Sequence, residues 1–393
     1  MKSMKLNICM LLGPSNLSIP LRPQLAEVYG GYFRIKGHNI FAIISSTKML
    51  KYNWKNIRVY EVPLNKRLKK MMLAEEIVKE MNCNIIQVRN SVVDGIFGLY
   101  LKWKYQIPLV FQYTWPFLEA WKETIKLESR KRLYLEKLKA KLTDLSHISI
   151  MQKADLVLPI SKWMKQYLVF RGVLESKMLP FPDGVNPEVF SSKVSGEEKR
   201  RELGLESSPV IIYVGTMDRL RKLDFLIRTF EIVKRKVKDA KLLMVGDGND
   251  KGRLEKIATK LGVRKDIIFT GKVPYYDVPL FLAASNVAVS PIPPYNFYKV
   301  SSPLKVFEYM GAGKPVVANE EIPEQREVIR ESQGGLLSPY EEKYFATAII
   351  ELLNESDKAK KMGRNGRKWV LENRSYEKLA KMVEEAYFNL LHL

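Results

Sequence analysis

Cysteine is nearly absent from this sequence: Cys9 and Cys83 are the only two in 393 residues. That count leaves no disulfide framework and no cysteine-based metal site. Histidine occurs three times, at His38, His147 and His392, with no metal-ligand spacing, so no metal is expected. No apolar run reaches the roughly 18 residues that a bilayer-spanning helix needs. The run LNICMLLG at 6–13 is short, and Pro14 and polar residues follow it without a small-residue cleavage pattern. It therefore reads as a first β-strand and not as a signal peptide. These absences point to a cytoplasmic protein, free or held peripherally on the cytoplasmic face of a membrane.

Acidic residues are also in deficit, 43 against 65 Lys and Arg, which gives a net charge of +22. The excess is uneven, because residues 1–185 hold 30 Lys and Arg against 14 Asp and Glu. Two segments carry most of it, NKRLKKMM at 65–72 and WKETIKLESRKRLYLEKLKAKL at 121–142. Both have apolar positions at helical spacing with cations between them. They read either as solvated helix faces or as surfaces that attract anionic lipid headgroups or a phosphorylated acceptor. No aromatic-interleaved basic motif is present, so nucleic acid is not an expected partner.

Hydrophobic content of 46% and charged content of 27% describe a globular protein, and the length suggests two domains. Short apolar strands alternate with helical patterns almost from end to end, the pattern of βαβ units in a parallel sheet. Strands are expected at 7–12, 40–44, 84–88, 108–111 and 156–159. After FPDGVNPEVF comes the polar stretch 191–208, the best linker candidate. The alternation then restarts with PVIIYVG, LLMVGDG, DIIFTG, VAVSP and KPVVA. This divides the chain into residues 1–186 with a returning helix at about 376–393, and residues 187–375. Two doubly wound halves of this kind would face a cleft at the carboxyl ends of their strands.

The densest chemistry lies in SPLKVFEYMGAGKPVV at 302–317. Ser302 suits an N-cap and Pro303 a first helical position, so a helix is expected there with its positive end toward an anion such as diphosphate. Lys305 would add charge in the first turn. Glu308, further in, would accept the vicinal hydroxyls of a ribose or of a sugar. The bland alternative pairs Glu308 with Lys305 on the helix face, worth about 0.2–0.5 kcal/mol. Gly215, Gly246 and Gly248 sit in turns after strands, where Gly215 is expected to admit close approach of a ligand. Basic residues Arg219, Arg221 and Lys222 crowd a helix start, which is unfavourable unless an anion arrives.

These residues resemble the family 4 retaining glycosyltransferases of GT-B fold, in the subgroup that carries Ser-Pro-Leu-Lys before the signature helix. YVGTMDRLRKLDFLI at 213–227 is similar to the family's donor-phosphate loop, and IIFTGKVPYYDVPLFLAASNVAVSP at 267–291 to its base-binding loop and the elements after it. FPDGVNPEVF resembles the family's hinge motif with Asp183 and Asn186 exchanged. The resemblance implies a metal-independent hexosyltransferase, moving sugar from a UDP- or GDP-sugar to an acceptor hydroxyl on a glycan or a lipid-linked sugar. It assigns Glu308, Arg221 and Lys305 to catalysis, and Gly215, Thr216, Arg219, Lys222, Gly246, Ser302 and Leu304 to the donor. Lys272 and Val273 would contact the base through their main chain. The acceptor would meet Gly13 and Arg22 after the first strand, and Tyr113, Thr114 and Trp115 after a later one. Two departures stand out. Val300 occupies the place of the first signature glutamate, and the family's histidine, which would fall near Thr114, is missing. They motivate a catalytically silent nucleotide-binding subunit as the first alternative, and the net charge alone motivates a second, a basic nucleic-acid-binding protein.

Overall fold

The computed structural model describes residues 5–13, 23–55, 57–127 and 133–392. The chain divides into two compact units, one running to Pro182 and resuming at Tyr376, the other spanning Asp183–Ser375.

Unit 1 is built on a seven-stranded sheet. Its strands are β1 (Asn7–Leu12), β2 (Asn39–Ser46), β3 (Leu50–Trp54), β4 (Ile57–Pro63), β5 (Ile85–Arg89), β6 (Leu109–Tyr113) and β7 (Leu156–Pro159), in the order β3-β4-β2-β1-β5-β6-β7. The central strands β2, β1, β5 and β6 are buried along most of their length and largely apolar, as strands covered by helices on both faces must be. One feature departs from the expected all-parallel sheet. β3 runs antiparallel to β4 at the edge, joined by a turn in which Lys55 has φ +43°. Its alternating exposure, with Leu50 and Lys51 open to solvent, hid it from a search for short apolar runs. The helix Tyr376–Leu390 returns to this unit, where Leu379, Val383 and Tyr387 join the core. Glu384 there meets His38 at 2.6 Å.

The two basic segments fold differently from one another. The first forms the helix Arg67–Glu80, but its Lys70 is buried, with Nζ 2.8 Å from both Asp94 oxygens and 2.9 Å from the Leu12 carbonyl. That lysine is an internal cross-tie and not part of a cationic surface. The second segment is divided between two helices, Phe117–Leu127 and Leu133–Lys153.

Unit 2 holds six parallel strands: β8 (Val210–Val214), β9 (Lys241–Val245), β10 (Ile267–Gly271), β11 (Val287–Ser290), β12 (Val316–Asn319) and β13 (Gly335–Ser338), ordered β10-β9-β8-β11-β12-β13. Counted from its own first strand this is the dinucleotide-fold order 3-2-1-4-5-6, and unit 1 has the same order once β3 is set aside. The expected linker at 191–208 is no linker. It contains the helix Glu197–Glu202, Leu205 is buried, and Arg200 donates hydrogen bonds to the carbonyls of Leu205, Ser208 and Ala284. The polar composition reflects a helix and its capping arginine on the rim of unit 2.

Candidate functional site

Ligands of sheets with this order bind outside the carboxyl ends of the strands, where the strand order reverses. In unit 2 that point lies between β8 and β11. β8 runs out into Gly215, whose N–H bonds the Val245 carbonyl at 2.9 Å, and Met217 N–H bonds the Asp247 carbonyl at 2.9 Å. The two loops lie backbone against backbone. A Cβ at Gly246 would stand 2.0 Å from the Gly215 carbonyl oxygen, and one at Gly248 2.3 Å from that of Met217. Both glycines therefore close the loop pair. Gly215 serves a different end: with φ +150°, its missing Cβ leaves room 2.9 Å from Lys305 Nζ and 3.0 Å from the Tyr213 hydroxyl. Gly215→Ala is accordingly expected to displace the Lys305 ammonium. A loss of nucleoside diphosphate affinity, read by calorimetry on a protein with unchanged circular dichroism, is the outcome that checks it.

Lys305 Nζ donates to the Tyr213 hydroxyl at 3.3 Å and stands 4.3 Å from that ring's centroid. Burial first, and the Arg221 charge second, push its ammonium well below the ordinary lysine range. Arg221 lies 5.1 Å over the Tyr298 ring, and its Nε is buried with no hydrogen-bond partner among the described residues. Asp218, which sequence reasoning passed over, explains how so basic a turn forms. Its carboxylate accepts from Arg221 N–H at 3.1 Å and from Thr216 Oγ1 at 3.1 Å, capping the turn Arg219–Arg221. Tyr213 and Tyr298, the aromatic supports of the two cations, were also missed, because a tyrosine in an apolar run looks like core. Of the other expected donor cations, Arg219 is exposed and lies 3.9 Å from Asp250, while Lys222 stands 5.0 Å from the Tyr295 ring. Arg221 and Lys305 thus act on one another, and Arg219 and Lys222 are drawn to other partners.

The signature helix begins later than expected. Its first residue is Leu304, Pro303 precedes it at φ −83° and ψ 82°, and no side chain caps it. Ser302 Oγ instead accepts the Asp183 N–H at 3.1 Å, so the residue expected as the cap ties the helix start to the first residues of unit 2. Two of its first N–H groups are already taken, Leu304 by the Ser302 carbonyl at 3.1 Å and Val306 by the Pro303 carbonyl at 3.0 Å, so the helix end offers an anion chiefly its dipole. Glu308 is buried, and its Oε1 has no hydrogen-bond partner among the described residues. Burial raises its carboxyl to about 8, with the Asp183 charge adding, against the Tyr275 hydroxyl and the Lys305 charge. The helix-face pairing with Lys305 is not what the side chains adopt, since Lys305 turns to Tyr213. Lys272, just past β10, is exposed and Val273 packs half-buried on the core. Among the described residues no group of three His, Cys, Asp or Glu stands close enough to hold a metal ion.

In unit 1 the expected acceptor residues differ in their surroundings. Tyr113 is a core side chain. Thr114 is nearly buried, with Oγ1 2.6 Å from Asn90 Nδ2 and its N–H 2.8 Å from Asn90 Oδ1. Trp115 is half-buried. Gly13 follows β1, and a Cβ there would make an ordinary 3.5 Å contact with Ser91. Arg22 lies outside the described residues. The histidine missing near Thr114 has a neighbour from elsewhere in the chain. His147 stacks on Phe117 at 5.1 Å, lies 5.3 Å from Tyr113, and its Nε2 is 2.9 Å from the Asn90 carbonyl oxygen. Fully buried, it is held toward its neutral form by desolvation and serves the core.

Comparison with solved structures decides the fold. Sucrose-phosphate synthase from Thermosynechococcus elongatus is 18% identical, with a TM-score of 0.76 over 99% of this chain and 100% of that one. HepE of Anabaena, solved with UDP and glucose, is 16% identical, with a TM-score of 0.74 over 98% and 100%. The fold is GT-B. Residues 195–369, all within unit 2 of this GT-B chain, match the family described as Glycosyl transferases group 1. A GDP-mannose-dependent alpha-(1-6)-phosphatidylinositol monomannoside mannosyltransferase of Mycolicibacterium smegmatis is 26% identical over 56% of this chain. The match spans 58% of that protein's own length.

Proposed function

We propose that this chain is a retaining, metal-independent glycosyltransferase that moves a sugar from a UDP- or GDP-sugar to an acceptor hydroxyl. The observation that carries the reading is Glu308, a buried carboxyl group whose Oε1 has no hydrogen-bond partner among the described residues, on the helix that also presents Lys305. A buried acceptor of this kind is costly unless a ligand supplies a donor, and ribose hydroxyls are such donors. As the glycosidic bond to the diphosphate breaks, negative charge develops on the departing phosphate. Arg221, Lys305 and the uncapped helix N-terminus offer preorganised positive charge to it. Relatives support both bases, since one is named as GDP-mannose-dependent and another was solved with UDP. Retention of configuration and independence of a metal rest on the family resemblance of 302–317. Val300 in place of the first glutamate favours the second reading, a silent nucleotide-binding subunit. The test is release of nucleoside diphosphate from UDP- and GDP-sugars in EDTA, with product stereochemistry read from the anomeric proton. Turnover on one donor, lost in Arg221→Ala, supports the transferase. A thermal shift with a nucleoside diphosphate but no turnover on any donor would leave the silent subunit.

The acceptor is proposed to be a lipid-linked or membrane-surface glycan. No helix among the described residues is long and apolar enough to cross a membrane. The helix Leu133–Lys153 nevertheless exposes Leu135, Leu138, Leu142 and Leu145 at helical spacing, with Lys137, Lys139 and Lys141 exposed between them. A stripe of leucines flanked by lysines suits the interface of an anionic bilayer, which gains from both apolar burial and charge. The relative named for a phosphatidylinositol acceptor accords with this. Leu138→Glu with Leu142→Glu is expected to cut sedimentation with phosphatidylglycerol vesicles by about 10²-fold or more, given ~1.5–3 kcal/mol per buried leucine. Unchanged sedimentation would remove the membrane from the proposal.

A further inference from the structure

The second concentration of positive charge in unit 2 lies at the opposite end of its sheet. Ser208 and Pro209 lead into β8, Ser285 and Asn286 into β11, and Lys314 and Pro315 into β12. These segments, with Arg200 and the start of the helix Ser356–Asn373, line a cavity of about 390 Å³. Its lining holds three cations, Arg200, Lys314 and Lys360, several hydroxyls, and no carboxylate.

Arg200 and Lys314 have partners, but none that neutralises them. Arg200 donates to the carbonyls of Ala284, Leu205, Glu206 and Ser208 and to Asn286 Oδ1. Lys314 Nζ donates to the carbonyls of Ala283 at 3.2 Å and Ser285 at 2.8 Å. No carboxylate among the described residues pairs with either. The plain structural explanation is that both close the end of the helix Val278–Ala283. A helix end carries only about half a negative charge, however, and two full cations exceed it. Lys360 adds a third, three-fifths or more exposed at the cavity rim, beside a fully exposed Asp357 at 3.9 Å. Burial, and then the Arg200 charge, push the Lys314 ammonium down to about 8, as expected of a site short of negative charge.

We propose that this cavity is a second anion site of the chain, one that takes the phosphate group of a small phosphorylated molecule. Lys314 and Lys360 supply the charge, and the hydroxyls of Ser207, Ser208 and Ser356 supply donors around it. The volume falls within the range of small-ligand pockets, about 300–1,000 Å³. The site is separate from the loop of Gly215 and does not rest on the transferase reading. It is nevertheless connected to it through the chain, because Lys314 follows the helix Leu304–Gly311 across the Gly313 turn, at φ +71°. An anion on Lys314 fixes the far end of the helix that carries Lys305 and Glu308.

The test is isothermal titration of the full chain in a Lys305→Gln background, which removes one of the two donor-side cations, with inorganic phosphate and glucose 6-phosphate as probes. One phosphate per chain is expected, weakened about tenfold by Lys360→Gln, a typical loss for one charge-assisted hydrogen bond. Lys314→Gln is expected to abolish binding. Tighter binding of glucose 6-phosphate assigns the site to a sugar phosphate, and equal affinity to free phosphate. No binding in the Lys305→Gln protein overturns the proposal. So does an affinity unchanged by Lys360→Gln, an exposed substitution that leaves the fold intact whatever becomes of Lys314→Gln.

Discussion

Lys305→Gln is expected to lower sugar transfer by about 10²–10³-fold, or some 3–4 kcal/mol, while leaving the unliganded protein at least as stable as the parent. The activity loss follows from position: Nζ stands in the space that Gly215 leaves open and is held by the Tyr213 hydroxyl and ring. The stability effect has the opposite sign to most changes at buried positions. Lys305 is half-buried beside Arg221, and its charge is a cost to the free fold. Its folded pKa lies below the unfolded value of about 10.4, so between the two the unfolded chain binds more protons than the folded one. The parent therefore gains stability as pH rises through that window, and below it carries the full penalty that glutamine escapes. Urea unfolding of parent and variant at pH 7 and pH 10 reads this as a gap that narrows on going alkaline. A variant that is less stable than the parent at pH 7 and still transfers sugar would make Lys305 a packing residue.

The contrast between Lys305 and Ser302 shows which parts of such a site a sequence displays. Lys305 and Glu308 drew notice because charged side chains in an otherwise apolar helix have few structural uses, and Arg221 because cations crowd a helix start. The strand alternation was legible for a related reason: strands covered on both faces must be nearly continuous apolar runs. Ser302 misled because N-capping depends on the backbone of its successor, and Pro303 with ψ 82° delays the helix. β3 misled because an edge strand needs only alternating burial. The aromatic supports Tyr213 and Tyr298, and the cap Asp218, could not be read at all. Their role lies in which cation they face, a contact made across 92 residues for Tyr213 and Lys305. The same limit hid Lys70, whose partner Asp94 lies on another helix. Spacing along the chain shows what one element offers, whereas pairing between elements is set by the packed sheet.

Glu308 gives the second large effect, and here pH is the instrument. Its carboxyl titrates at about 8 in the folded chain, above the ordinary 4.5. Between those values the folded state keeps a proton that the unfolded state has released. The parent should accordingly lose stability as pH rises from about 4.5 to about 8 and then level off. The loss is on the order of 3–5 kcal/mol if Glu308 acted alone. Glu324, raised to about 7 by burial, titrates in the same window and contributes its own fall. Glu308→Gln retains Glu324, so subtracting the two unfolding profiles isolates Glu308. Nucleoside diphosphate affinity should move the other way, because ribose hydroxyls donate to the ionised carboxylate. Affinity in the parent is expected to rise with pH up to about 8. The approach to that limit is at most about tenfold per pH unit. In Glu308→Gln it should be weaker by about 1.5–3 kcal/mol and lack that increment, because an amide neither titrates nor offers two strong acceptors. Parallel profiles in parent and variant, for unfolding and for binding alike, would show that Glu308 stays ionised in the free protein. An affinity equal in parent and variant would instead move the hydroxyl-binding role elsewhere on the rim of β8 and β11.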